Sequence, residues 1–228
     1  TAKEEDILSS KTLLKQGVAI DRFLQSVLVD KRLTPDSMLI GDKNALIVAA
    51  RCSGYGHDYL AGITCPNCGI SSKHEVDLSE AQSLYGGYVE EEAHEEDKIH
   101  GVTGPNASGN YIITLPLTKA QFEVKLMTGR EEKDFSKRMQ QRKKKRQAEA
   151  MMTDQFKTFT VSINNTGDLR QMYRFIDNLP VRDSRFLRNT YGKLSPSMNL
   201  KHDFICPECE HEQEVEVPIT AQFFWPDA

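Results

Sequence analysis

Five cysteines stand in this chain, and four of them form two close pairs, Cys65-Pro66-Asn67-Cys68 and Cys206-Pro207-Glu208-Cys209. A C-x-x-C turn puts two sulfurs on one side of a tight loop, near enough to share a metal ion. Two such turns complete a four-thiolate tetrahedral shell, the closed arrangement of a structural zinc site. One zinc held by Cys65, Cys68, Cys206 and Cys209 is the reading those residues favour.

Other chemistries use similar motifs. Thiol oxidoreductases carry C-P-x-C at the start of a helix, whose N-terminus lowers the first thiol's pKa. Here Cys209 is followed by the alternating EHEQEVEVPI, a strand pattern. Zinc deaminases need H-x-E ahead of P-C-x-x-C. In this chain proline lies inside each pair, and no H-x-E is placed as required. Two metal-free turns are the remaining alternative. His57, His74, His202 and His211 flank the knuckles, but four cysteines already complete a shell. Cys52, in the apolar stretch KNALIVAARC, reads as a core residue.

The elements around the pairs follow from local pattern. Tyr59 to Thr64, the first knuckle, then Ile70 to Leu78 read as strand, turn, strand. Asp203 to Ile205, the second knuckle, then Glu212 to Ile219 repeat that order. The two segments, 59–79 and 202–219, are expected to form one split zinc ribbon. Residues 1–34 carry apolar positions at near-helical spacing, interrupted by Gly17, and read as an N-terminal helical segment. Thr34-Pro35-Asp36 has the form of a helix start, and Asp42 can cap a buried helix ahead of Lys43. Tyr111 to Leu117 and Phe122 to Met127 read as strands. Thr128 and Glu131 have capping-box spacing ahead of a charged helix over 130–151. Phe159 to Ile163 reads as strand or helix end. Asp168 caps a helix through Leu179, and Pro180 opens another to Gly192. The fold class expected is α+β: a helical core with short antiparallel strands, residues 35–228 forming one domain.

Three stretches have unusual composition. Residues 86–110 carry five glycines and the acids Glu90, Glu91, Glu92, Glu95, Glu96 and Asp97, and read as a flexible exposed insertion. Lys137, Arg138, Arg142, Lys143, Lys144, Lys145 and Arg146 form a basic run without an acid. It is either a solvated helix face, a face for an acidic protein, or a nucleic-acid contact. It lacks the aromatic residues that stack bases. Phe223-Phe224-Trp225 either seals the core or docks into a neighbouring subunit, since aromatics anchor interfaces.

The chain as a whole has 228 residues and a net charge of −4, so no overall positive field draws it to nucleic acid or anionic lipid. Its longest apolar run, Ala45 to Ala50, is far short of the ~20 residues of a membrane span. The opening TAKEED has neither the basic start nor the apolar stretch of a signal peptide. These features describe a soluble chain made in cytoplasm. No nucleophile motif or phosphate-binding glycine loop is present, so a non-enzymatic role is expected.

Several short motifs together resemble the T-even-type bacteriophage baseplate hub family. They are Leu39-Ile40-Gly41-Asp42, Ala50-Arg51 with Ser53-Gly54-Tyr55-Gly56, Ile63-Thr64-Cys65-Pro66-Asn67-Cys68-Gly69, and Val76-Asp77-Leu78. Later come Leu115-Pro116, Asp183 with Leu187-Arg188, Cys206-Pro207-Glu208-Cys209, and Phe223-Phe224-Trp225-Pro226. The resemblance covers roughly residues 35–226 and implies a structural or assembly protein of a contractile phage tail. Its expected partners are other baseplate or tail proteins, and its expected location is the virion. The competing expectation is a zinc-ribbon nucleic-acid-binding protein that uses residues 137–146.

Overall fold

The computed structural model describes residues 1–84, 99–145, 150–217 and 223–224. The chain opens with α1 (Ala2–Ser9), α2 (Lys11–Gln16), α3 (Ala19–Val27) and α4 (Ile40–Tyr55). Strands β1 (Asp58–Thr64), β2 (Ser71–Asp77), β3 (Gln82–Leu84), β4 (Val102–Thr103), β5 (Tyr111–Thr114) and β6 (Gln121–Val124) follow. Then come α5 (Gly129–Lys144), α6 (Met151–Phe159), β7 (Thr160–Ile163), α7 (Leu169–Asp177) and α8 (Val181–Leu194). The described chain ends with β8 (Ser197–Asn199), β9 (Lys201–Ile205) and β10 (Glu212–Glu216). All strand pairs are antiparallel, in the orders β1-β2, β9-β10, β3-β8 and β4-β5-β6-β7. The class is α+β, as the sequence predicts.

These elements form two compact units. The first gathers Thr1–Pro35, Gly41–Leu84 and Ser197–Ala228, so both ends of the chain build it. Residues 1–34, which read from sequence as a separate segment, lie inside this unit. Gly17 ends α2 in the left-handed conformation, with φ 69°, a geometry glycine adopts without steric cost. The turn lets Phe23 and Leu24 of α3 enter a core with Leu8 of α1. Strand β1 alternates, and Tyr59, Ala61 and Ile63 all point inward. Phe204, Val217, Phe223 and Phe224 close the same core from the other end of the sequence. Helix α4 is not buried all round: Ile47, Val48 and Arg51 face inward while Ala49 is exposed. Half of its apolar run Ala45–Ala50 is alanine and the run wraps the helix surface, so only one side reaches the core.

The second unit holds Asp36–Ile40 and Tyr85–Pro196. No helix starts at Thr34-Pro35-Asp36. The backbone of Asp36 and the residues after it is engaged elsewhere, with Arg130 N–H donating to Asp36 O at 3.0 Å, Gly129 N–H to Met38 O at 3.0 Å and Ile40 N–H to Met127 O at 3.1 Å. The four-stranded sheet puts Ile113, Phe122 and Val124 into a core with Phe156, Phe159, Met172, Ile176 and Leu187. Asp168 caps α7 by accepting the Gln171 N–H at 2.8 Å. Pro180 is the N-cap of α8. Tyr191 stacks on Phe159 at 3.9 Å. Its hydroxyl accepts the Met127 N–H at 3.0 Å and donates to Lys125 O at 3.1 Å. Burial pushes its pKa up to about 12.

Two sequence expectations change here. The helix expected over 130–151 ends at Lys144, and a new one starts at Met151. Its start is as expected: Glu131 accepts the Thr128 N–H at 2.9 Å, the capping box. Burial opposes ionisation of Glu131, but the Lys125 ammonium at 2.8 Å and the Thr128 donors hold its pKa at about 2. Residues 99–110, part of the expected flexible insertion, are folded. Asn106 Oδ1 accepts the N–H groups of Ser108 and Asn110 at 2.9 and 3.0 Å. The Glu123 carboxylate then accepts from the side chains of Asn106 and Asn110, both at 2.9 Å. Residues 86–98 of that stretch, with its acidic run, lie outside the described residues. Among the described residues no helix is long and apolar enough to cross a membrane.

Asp183 is the chief polar group of this core. It is fully buried, and it accepts the Leu117 N–H at 2.8 Å, the Thr118 N–H at 2.9 Å and the Thr118 hydroxyl at 2.7 Å. Burial raises its pKa, but these three donors outweigh it and the net shift is downward. A folded-state pKa below the unfolded one stabilises at pH above the unfolded value and is lost as pH falls through the folded value. Asp183→Ala is expected to cost about 3 kcal/mol at neutral pH, because it removes three hydrogen bonds made to a fully buried carboxylate. Denaturant unfolding at neutral and acid pH checks this: the loss should shrink as pH falls below about 4.

Candidate metal centre

The two knuckles are the same turn, built twice. In the first, β1 and β2 pair through Thr64↔Ser71. Cys65 N–H donates to Ile70 O at 2.8 Å, and Gly69 N–H donates to Cys65 O at 2.9 Å. In the second, β9 and β10 pair through Ile205↔Glu212. Cys206 N–H donates to His211 O at 3.0 Å, and Glu210 N–H to Cys206 O at 3.0 Å. Both turns pass through a left-handed residue just after the second cysteine. It is Gly69 at φ 75° in one and Glu210 at φ 55° in the other.

The four sulfurs converge. All lie within 4.8 Å of one another. Cys65 Sγ is 3.7 Å from Cys209 Sγ, and Cys68 Sγ is 3.7 Å from Cys206 Sγ. A disulfide would need about 2.05 Å. A tetrahedron of sulfurs each ~2.3 Å from a central ion has edges of about 3.8 Å. The measured separations are metal-compatible and unlike a disulfide. Cys65 and Cys206 are 1% exposed and belong to the first unit's apolar core. Cys209 is half-buried and Cys68 exposed, so one edge of the cluster opens to water.

The protonation of the cluster reflects its crowding. The Asn67 amide donates to Cys209 Sγ at 3.6 Å. That hydrogen bond, with the His211 backbone and neighbouring sulfurs, lowers the Cys209 pKa to about 6. Cys68 goes the other way. The Ile70 backbone favours its thiolate, but desolvation and the other three sulfurs prevail and raise it to about 12. Four thiolates this close repel one another unless a cation sits among them. Each pair leads into a strand, not a helix, so the helix-terminus activation of redox C-P-x-C motifs is missing here.

Among the described residues no histidine or carboxylate joins the sulfur group. His74 instead bonds Ser72 at 2.9 Å and packs edge-on to Phe204 at 4.7 Å. His211 meets Gln213 at 3.3 Å. Cys52 is half-buried and apart from the cluster.

The other sequence candidates separate. Phe223 and Phe224 are fully buried and belong to the first unit's core, the sealing reading of the terminal aromatics. Phe223 packs on Tyr59 at 4.9 Å and Phe224 on Phe23 at 5.0 Å, both edge to face. Trp225 and Arg146 lie outside the described residues. Arg142 is tied to buried Asp154, with Nε and Nη2 at 2.7 and 3.0 Å from its two oxygens. Arg138 bonds the Thr158 hydroxyl. Lys143, Lys144 and Lys145 are exposed.

Arg51 was not singled out for its chemistry by sequence, yet it is 2% exposed. Its guanidinium donates to Gly56 O at 3.2 Å and Asp58 O at 2.8 Å, and lies 5.5 Å from the Tyr55 ring centroid. It fixes the turn that feeds β1. Its signal was a cation directly after the apolar run Ala45–Ala50, with tyrosines at 55 and 59 nearby.

Comparison of the chain with protein-family models, curated proteins and solved structures gave no match. The repeated turn makes a direct test possible. No atom lies within 4 Å of a Cβ built on Gly69, so Gly69→Ala meets only backbone strain. It is expected to cost about 1 kcal/mol. Glu210→Gly should stabilise by less than that, since glycine's greater freedom when unfolded offsets part of the gain. Denaturant midpoints of the two variants check both signs.

Proposed function

We propose that the four cysteines bind one structural zinc ion, which makes the two hairpins a single split zinc ribbon. The observation that carries this is the group of four sulfurs within 4.8 Å of one another, two of whose separations are 3.7 Å. Zinc suits four thiolates, and a closed shell leaves no position for substrate or water. Its role is to neutralise and join.

The biological reading rests on the motif resemblance. We propose a non-enzymatic structural or assembly component of a bacteriophage tail baseplate, in the hub region, with other tail proteins as partners. It is made in the host cytoplasm and ends in the virion. Such a part needs a fixed shape and adhesive surfaces more than an active site. The metal would supply rigidity to hairpins that are only two-stranded. The alternative, nucleic-acid binding through the basic run, draws on exposed Lys143, Lys144 and Lys145. It loses Arg142, whose charge is spent on Asp154.

Metal analysis of purified protein is expected to give about one zinc per chain. Cys68→Ser and Cys206→Ser should each lower it sharply, and full occupancy after either change would contradict a shared site. Affinity purification from infected cells is expected to bring down tail proteins. Recovery of nucleic acid alone, lost on raising salt, would favour the alternative.

A further inference from the structure

Helix α8 has two faces. Asp183, Leu187, Thr190, Tyr191 and Leu194 face the core of the second unit. The opposite side carries Arg182, Arg185, Asn189 and Lys193, all exposed and spaced as successive turns of one helical stripe. These four line a groove of about 560 Å³ whose apolar floor is Ile99, Pro116 and Phe186. The Phe186 ring lies 3.5 Å from where a Cβ on Gly101 would stand, so the floor is packed against the strand that precedes β5. Leu117 and Val181, next in sequence to Pro116 and Arg182, add apolar surface exposed at 53% and 84%.

The charge of the groove is one-sided. Arg182, Arg185 and Lys193 line it, and among the described residues no carboxylate does. None of the three is ion-paired among the described residues. The nearest acid in sequence, Asp183, points inward to Leu117 and Thr118. A net charge of −4 for the chain makes this local excess of cations more unusual.

We propose that the α8 groove binds an acidic, amphipathic protein segment, with aliphatic side chains on the Ile99–Pro116–Phe186 floor and carboxylates along the Arg182–Arg185–Lys193 rim. Spacing selects this ligand class. From Arg182 to Lys193 the helix rises roughly 16 Å, too far for one phosphate or small carboxylate to touch both ends. An extended peptide covers that span with a few residues. Nucleic acid fits less well, because among the described residues the groove offers the Phe186 ring and the His100 imidazole, where single strands need a longer series of stacking platforms. The groove is independent of the sulfur cluster, so it stands whether or not zinc binds there.

The test is fluorescence anisotropy with the full chain and a labelled peptide alternating glutamate and leucine. Binding should weaken about tenfold or more in Arg182→Glu/Arg185→Glu, a loss of about 1.4 kcal/mol. It should be unaffected by Lys143→Glu/Lys144→Glu, which removes charge elsewhere. Lys193→Glu, at the far end of the groove, gives the same reading if the double variant does not fold. No binding by the unmodified protein would overturn the proposal. So would binding that survives reversal of the groove charges, or tighter binding of a single-stranded oligonucleotide that depends on the same residues.

Discussion

Four sulfurs gathered within 4.8 Å set the terms for the rest of the first unit. Such a group is costly: two members are buried in apolar surroundings, and ionising more than one thiol without a cation meets strong repulsion. A divalent ion would resolve it and let all four bind. The proposed zinc thereby links stretches from opposite ends of the sequence. Each hairpin has only two strands, and such hairpins are marginal by themselves.

The apolar core does the same joining by a different force. Phe223 and Phe224 leave the end of the described chain and enter between Tyr59 and Phe23. Edge-to-face pairs of this kind add roughly 0.5–1.5 kcal/mol each beyond the area they bury. Cys65 and Cys206 sit within this cluster, so the sulfur group and the aromatic group form one continuous interior. Arg51 anchors the turn that leads into β1 from the α4 side. The proposed metal, the rings and the guanidinium thus bear on the same hairpin from three directions.

The site was legible because its chemistry is local. Cys-Pro-x-Cys between strand patterns fixes a knuckle from a handful of residues, and the structure shows both knuckles with one hydrogen-bond pattern. The caps at Asp168, Pro180 and Thr128 were readable for the same reason. Features set by distant partners were not. Thr34-Pro35-Asp36 read as a helix start, but residues 127–130 hold the backbone of Asp36, Met38 and Ile40. Glycine-rich 99–110 read as flexible, since nothing in the stretch foretells that Glu123 will bind Asn106 and Asn110. The α8 stripe was hidden because the helix reads as an ordinary amphipathic one. Only the floor supplied by Ile99 and Pro116 turns its outer face into a groove.

The central claim is that one metal ion is shared by both knuckles and holds the first unit together. Hydrogen exchange measured on the metal-loaded protein and after chelation tests it most directly, since exchange reports opening segment by segment. The account predicts that chelation strips protection from β1, β2, β9 and β10 together, while α7 and α8, which have a core of their own, stay protected. Loss confined to one hairpin, or no change in any of the four strands, would contradict it.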